Sequence, residues 1–235
     1  MGFLNYMRVL LTGASGGIGQ ELAKELIRRG YEVIGVGRNE KALKELGIKY
    51  IVVDLSTYEG ISKVRESLKG EIDVLINNAG FGLVKPLLEH SWEELEGMFK
   101  VNAIAPVILT KELLDFIPEG GKVVFIISGA SHVYTLDLPG YGASKVALHY
   151  MAKVLEEELK ERGIKVLRVY PKQVATDFWK GAKLRGALSP EYVARKIVNA
   201  IESDKRELFI PWYLKLAKFF EIKYRFSFEK EFKPQ

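Results

Sequence analysis

The chain of 235 residues contains no cysteine. That absence excludes disulfides, thiol nucleophiles and thiolate metal sites. Histidine is scarce: His90, His132 and His149 are the three present, and none stands at metal-ligand spacing from another. They read as surface or packing residues, and no metal site is expected. No apolar run reaches the ~18 residues of a membrane-spanning helix. The N-terminus lacks the long apolar core of a secretion signal. A soluble, cytoplasmic protein is expected. Charge of one sign is not in large excess either. The net charge is +5, spread along the chain, and no nucleic-acid motif accompanies it, so nucleic acid is not an expected partner.

What is present is an apolar content of 48%, ordinary for a globular protein, in a length that suits one α/β domain. Residues 1–6 read as a leader. Arg8 to Thr12 reads as a short apolar strand. Thr12-Gly-Ala-Ser-Gly-Gly-Ile-Gly19 follows, then an amphipathic helix to about Arg29 that Gly30 stops. A strand, a glycine-rich turn and a helix in that order can cradle a dinucleotide. Glycines let the backbone approach the pyrophosphate, and helix-terminal N–H groups bind its charge. Further strands read at 32–37, 49–53, 74–77, 123–127, 165–170 and 207–210. Helical signals alternate with them: capping boxes at Ser56-x-x-Glu59 and Ser91-x-x-Glu94, and Ser189-Pro190-Glu191. The helical stretch after Ser91 runs past Asn102 to Ile117, and Pro106 is expected to bend or divide it. Alternating strands and helices predict one doubly wound parallel sheet of about seven strands, helices on both faces, over residues 1–210. Residues 211–235 form an aromatic and basic tail expected to pack on the domain or a partner.

Ligands bind such sheets at the strand carboxyl ends. Asp54, Asn77, Ser128 and Thr176 all lie at or just after those ends. Tyr141-Gly-Ala-Ser-Lys145 adds a second signal. Residues four apart share a helix face, so an ammonium sits beside a phenol. A nearby cation lowers the phenol pKa from ~10, which suits a group exchanging protons near neutrality. The cofactor end carries its own signal. An NAD-preferring site places an acid at the end of the second strand; here Gly37 holds that place and Arg38 follows. A guanidinium can grip a 2′-phosphate with two hydrogen bonds, so NADP(H) is expected over NAD(H).

Taken together, Thr12-Gly13-x-x-x-Gly17-x-Gly19, Asp54, Asn77-Asn78-Ala79-Gly80, Asn102, Ser128, Tyr141-x-x-x-Lys145 and Pro171 through Thr176 resemble the short-chain dehydrogenases/reductases, in family order over roughly residues 7–210. The resemblance implies a Rossmann sheet and hydride transfer between a nicotinamide cofactor and a carbonyl or secondary alcohol. It implies Tyr141 as general acid/base, Ser128 as the hydroxyl that bonds the substrate oxygen, and Lys145 as the residue that lowers the tyrosine pKa and binds the nicotinamide ribose. Asn102 matches the position that holds a relay water. Gly13, Ser15, Gly17, Ile18, Gly19, Arg38, Asp54, Asn78, Ala79, Gly80, Pro171, Val174 and Thr176 join Tyr141 and Lys145 in binding the cofactor. One departure is Pro171-Lys172, where the family commonly has Pro-Gly; it puts the local backbone path and the pocket's charge in doubt.

The segment after Thr176 sets the substrate in this family. Phe178 and Trp179 suggest an apolar lid, Gly181 and Gly186 its hinges, and the lysines with Arg185 a tolerance of anions. The helices near 103–117 and 141–161 commonly pair across a two-fold axis in the family, which implies a homodimer or homotetramer. Two other readings stand beside the reductase. One is a non-catalytic NADP(H)-binding regulator. The other is a peripheral membrane-associated reductase, whose tail from Pro211 to Phe220, with Tyr224, Arg225 and Phe226, mixes aromatics and lysines as interfacial helices do. Membrane contact is the less favoured use of that tail.

Overall fold

The computed structural model describes residues 7–176, 178, 184–220 and 222–225. The leader 1–6, Asp177, Trp179 to Lys183 with the hinge glycine Gly181, and Phe226 lie outside the described residues.

The strands are β1 (Arg8–Thr12), β2 (Glu32–Gly37), β3 (Lys49–Val52), β4 (Val74–Asn77), β5 (Lys122–Ile126), β6 (Tyr134–Thr135), β7 (Lys165–Pro171), β8 (Glu207–Ile210) and β9 (Lys223–Tyr224). All but β6 and β9 form one seven-stranded sheet in the order β3-β2-β1-β4-β5-β7-β8, every pairing in it parallel. The order reverses between β1 and β4, the switch point where such sheets open a crevice.

The helices are α1 (Gly17–Arg28), α2 (Glu40–Glu45), α3 (Tyr58–Ser67), α4 (Trp92–Phe99), α5 (Ala105–Glu112), α6 (Pro139–Lys160) and α7 (Pro190–Ile201). Strand side chains alternate between the two faces. Leu10 therefore packs with Leu75, Val123 and Phe125 under α3, α5 and α6. Its neighbours Val9 and Leu11 pack with Ile76, Val124 and Ile126 under α1 and α7. Both faces are dry, which is why the strands read as continuous apolar runs.

Several local expectations shift. The cap of α3 is Thr57, whose hydroxyl accepts from Gly60 N at 3.0 Å, and not Ser56. The Asp54 carboxylate takes the Ser56 N–H at 2.8 Å, and this turn moves the helix start one residue on. Helix α2 has no counterpart in the sequence reading; Asn39 caps it by accepting from Ala42 N at 3.2 Å. The stretch after Ser91 is divided at a π turn, Lys100–Ile104, just ahead of Pro106, which sits in the first turn of α5. Ala105 N–H reaches back five residues to the Lys100 carbonyl. Pro106 has no N–H for the carbonyl four residues before it, that of Asn102. The wide turn thus puts Asn102 where the helix opens.

The small parallel pair β6–β9 is a further addition. Tyr134 N donates to the Ile222 carbonyl at 2.8 Å and Leu136 N to the Tyr224 carbonyl at 3.0 Å. The tail is thereby tied to the loop that follows β5.

Candidate active site

Among the described residues, four α-helices begin on a side-chain cap. The caps are Asn39, Thr57, Ser91 and Ser189, and each of these helices carries an acid in its first turn. Helix α1 has neither: Gly16 offers no side-chain bond and the first turn has no acid. Its leading N–H groups and the positive end of its dipole therefore face the crevice. Gly13 at φ +67° and Gly17 at φ +53° take left-handed backbone that other side chains resist. A Cβ on Gly13 would lie 2.9 Å from Ala79 Cα and from Asn78 Nδ2. One on Gly19 would run into the Gly13 carbonyl. The loop is folded back on itself and pressed against the end of β4.

Thr12 and Asn78 hold it there. The Thr12 hydroxyl accepts from Asn78 N at 2.9 Å and Ala79 N at 3.0 Å. The Asn78 amide donates to the carbonyls of Thr12 at 3.0 Å and Gly13 at 3.3 Å. Asn78 lines the cleft, but its amide group is committed to bracing the loop. Ser15 lies over the end of β2, its Oγ 2.8 Å from where a Gly37 Cβ would be. Arg38 is exposed at the cleft rim with Asp54. The Asp54 carboxyl is held below its usual range, first by the Ser56 N–H and in smaller part by the Arg38 charge.

At the other end of the cleft, Ser128 follows β5 and Tyr141 stands in the first turn of α6. The Ser128 hydroxyl lies near enough to the Tyr141 phenol to favour its ionised form, and Ser128 Oγ accepts from Ala130 N at 3.1 Å. Lys145, buried one turn on, donates to the Ile126 carbonyl at 3.0 Å. Its Nζ is 5.6 Å from the centre of the Tyr141 ring. Asn102 is fully buried. Its amide exchanges two bonds with the Phe81 backbone, at 2.9 and 2.8 Å, and donates to Ser144 Oγ at 2.9 Å. Ser144 in turn donates to the Tyr141 carbonyl at 2.7 Å. Gly80 passes between these groups: a Cβ there would lie 3.0 Å from Asn102 Oδ1 and 3.4 Å from Lys145 Nζ. Phe81 and Ser144 escaped the sequence reading because their parts are played by a backbone and by a hydroxyl at one of the unspecified positions between Tyr141 and Lys145.

The electrostatics differ from the sequence expectation. Burial pushes the Tyr141 phenol up to about 12, the Ser128 hydroxyl opposing it. Burial pulls Lys145 down to about 7. Removal from water disfavours the charged form of each group, and Lys145, with its Nζ 5.6 Å from the ring centre, is not among the influences that move the phenol.

Of the anticipated catalytic and cofactor-binding residues, all but Gly19 and Asn102 line one cleft of about 580 Å3; those two and Asn77 are buried behind its wall, and Arg185 and the hinge glycine Gly186 lie off the lining. Pro171, Val174 and Thr176 close it beyond β7, and the Thr176 side chain lies 3.5 Å from where a Gly17 Cβ would be. Lys172 N donates to the Ile210 carbonyl at 2.7 Å, so the backbone just past β7 stays paired with the end of β8 where a glycine was the norm, and the lysine joins the lining. Phe178 meets the Tyr141 ring edge-on at 5.3 Å. With Val84, Leu138, Leu184 and Ala187 it makes an apolar wall. Leu214 and Tyr224 of the tail reach the lining, whereas Trp212, Phe219 and Phe220 are exposed. Among the described residues no helix is long and apolar enough to cross a membrane.

The model of the family described as short chain dehydrogenase matches residues 7–185. The chain belongs to that family. It is an oxidoreductase, and the seven-stranded parallel sheet flanked by helices is this family's Rossmann fold. Among curated relatives of the dehydrogenase, the NADPH-dependent 1-acyldihydroxyacetone phosphate reductase of Saccharomyces cerevisiae is 34% identical over 181 residues, 72% of this chain and 61% of the yeast protein. Among solved structures, the alcohol dehydrogenase of the archaeon Thermococcus sibiricus complexed with 5-hydroxy-NADP shares 27% identity with a TM-score of 0.79. The match covers 87% of this chain and 96% of that one. A short chain dehydrogenase/reductase from Burkholderia phymatum in complex with NAD, 20% identical, shares the fold at a TM-score of 0.81 over 93% of this chain and 94% of that one.

Proposed function

We propose that this dehydrogenase is an NADPH-dependent reductase of carbonyl compounds, with Tyr141 as proton donor. The observation that carries the reading is the meeting of Ser128, Tyr141 and Lys145 on the lining at the far end of a cleft that begins at an uncapped helix. The residues fit the cofactor. Gly13 and Gly17 leave the phosphate path clear of side chains, and the bare start of α1 supplies N–H donors. Arg38 receives the 2′-phosphate, Thr176 the carboxamide, and Lys145 the nicotinamide ribose.

The bound cofactor supplies the hydride; the remaining tasks fall to the chain. Ser128 and Tyr141 hydrogen-bond the carbonyl oxygen of the substrate. Tyr141 gives that oxygen its proton as negative charge builds there. Lys145 holds its charge best when an anion shares the cleft, and a charged Lys145 then draws the phenol pKa down from about 12. Asn102, buried behind the wall, fixes Phe81 and Ser144, and Ser144 in turn holds the Tyr141 carbonyl. The wall of Phe178, Val84, Leu138 and Leu184 favours lipophilic aldehydes and ketones, and Lys172 admits an acidic group.

A panel of aldehydes and ketones followed by NADPH absorbance tests this. Turnover of at least one lipophilic carbonyl, lost in Tyr141→Phe, is expected. No turnover of any, or an unaffected variant, overturns the reading.

The same chain pairs with itself in this proposal. Helix α6 divides its apolar residues: Leu148 and Leu159 are buried, while Val146, Tyr150 and Val154 are 48%, 72% and 44% exposed along one stripe. A second copy would cover that stripe, and light scattering at micromolar concentration should give at least a dimer mass.

A further inference from the structure

A second cavity, of about 450 Å3, lies apart from the cleft, lined by His132, His149, Lys153, Arg168, Glu207 and Lys218. Five elements meet there. His132 ends the turn that Ser128 begins, His149 and Lys153 come from α6, Arg168 from β7, Glu207 from β8, and Lys218 from the short helix Trp212–Phe219. The lining holds three permanent cations and one carboxylate, so it is cationic.

Arg168 is the decisive member. It is 8% exposed. One arm of its guanidinium is paired with Glu156 at 2.9 Å, but its Nε is buried with no hydrogen-bond partner. A buried charged donor left unpaired is costly, and such atoms in folded proteins are commonly explained by a ligand or ion. The two imidazoles point to the same chemistry. Their ring centres are 4.8 Å apart. Each has Nδ1 engaged at 2.9 Å, His132 with Ser131 Oγ and His149 with Tyr170 Oη, so each ring would gain a proton at Nε2 when an anion arrives. Burial first, then Lys218, Arg168 and Lys153, hold His132 down to about 4. Burial, His132 and the same cations hold His149 there too. That positive field repels a metal ion and attracts an anion. Glu207 opposes an anion and holds Lys218 at 2.8 Å, but Lys215, which is not part of the lining, offsets its charge at 3.1 Å, so Lys218 can share itself with an anion.

We propose that this cavity binds a small oxyanion, the phosphate or carboxylate of a metabolite, through Arg168, Lys153 and Lys218. The bound anion joins the turn that starts at Ser128 to the helix whose Leu214 lines the cleft. It therefore braces one wall of the cleft from behind. The binding is independent of the reductase reading; only the bracing rests on it.

Inorganic phosphate is the probe, with NADP+ present in excess to fill the cleft. Saturable binding by calorimetry is expected, together with shifts of the His132 and His149 imidazole signals in NMR, both titrating at higher pH than without phosphate. Lys153 is exposed, so Lys153→Met leaves the fold intact. It should raise the half-saturating phosphate concentration about tenfold, one charged hydrogen bond being worth at least that. Glu207→Gln, which removes the opposing carboxylate, should lower it. Histidine signals indifferent to phosphate, or a wild-type response unchanged in both variants, would overturn the site. The histidine signals report on this cavity alone, so a failure of NADP+ to bind would count against the cofactor reading and leave the anion test standing.

Discussion

The two ends of the cleft are built from different materials. At the end formed by β1, β2 and β4, the shape comes from backbone. Gly13, Gly17, Gly19 and Gly37 stand where a Cβ would strain the chain or strike Ala79, Ser15 or the loop's own carbonyl. At the end formed by β5, α6 and β7, the shape comes from side chains: Ser128, Tyr141, Lys145, and Asn102 behind them. The first end works because atoms are missing, the second because particular atoms are present. Each should fail in its own way, the nucleotide end when an atom is added and the catalytic end when one is removed.

The largest effect belongs to the catalytic end. Tyr141→Phe removes one oxygen and should lower turnover by ~10²–10⁴-fold, while NADPH affinity and the melting temperature stay close to wild type. Steady-state rates and a thermal melt check both halves of that statement, and parallel loss of cofactor affinity would erase the division between the ends. Arg38 is the exception that sharpens it, a side chain at the backbone end. A hydrogen bond to a charged group is worth roughly 1.5–3 kcal/mol, so NADPH should be preferred over NADH by about 10- to 150-fold in kcat/KM. Arg38→Ala should abolish most of that gap by weakening NADPH alone; an equal loss with both cofactors would show that Arg38 does not meet the 2′-phosphate.

Adding an atom is tested by Gly19→Ala. Its methyl group meets the Gly13 carbonyl and lies 2.8 Å from Asn78 Nδ2. Overpacking of this kind costs about 1–3 kcal/mol, or a fall of some 2–12 °C in Tm at this size, with weaker cofactor binding. The last effect is a slope of stability with pH. Lys145 is held near 7 in the folded protein, against 10.5 for the free side chain. Between those values the unfolded chain binds more protons, so stability rises with pH across that window and the gain is complete above 10.5. Tyr141, raised from 10.0 to about 12, acts oppositely, and its contribution is lost as pH climbs through that range. Denaturant melts at pH 7 and pH 9.5 should show a clear rise for wild type, and Lys145→Met should flatten it. An equal rise in the variant would assign the slope to other groups.

The same contrast explains what could be read from the chain. The seven sheet strands were legible because their apolar runs are buried on both faces, and the glycine loop because forced backbone admits few residues. The shift of the α3 cap from Ser56 to Thr57 was not, since it depends on the Asp54 carboxylate taking a backbone N–H. Helix α2 is six residues long, too short to show periodicity. The Asn102 anchor was hidden because its partners are the Phe81 backbone and the Ser144 hydroxyl. The histidines looked solitary because the cavity that unites His132 and His149 is assembled from five elements far apart in sequence. Tyr141 and Lys145 were placed side by side correctly, but spacing alone could not tell that burial outweighs their mutual influence.

The β6–β9 pair has a consequence for how the enzyme is made. Tyr134 lies opposite Lys223, so one edge of the cleft mouth is hemmed by a segment that leaves the ribosome after every strand of the main sheet. A nascent chain can complete its glycine loop and catalytic helix while that edge is still open. It should acquire nucleotide affinity before it acquires selectivity for substrate. A release factor that arrives early, or a protease that clips before Ile222, would leave behind a chain that still holds the nucleotide but is open to bulkier substrates than the finished enzyme admits.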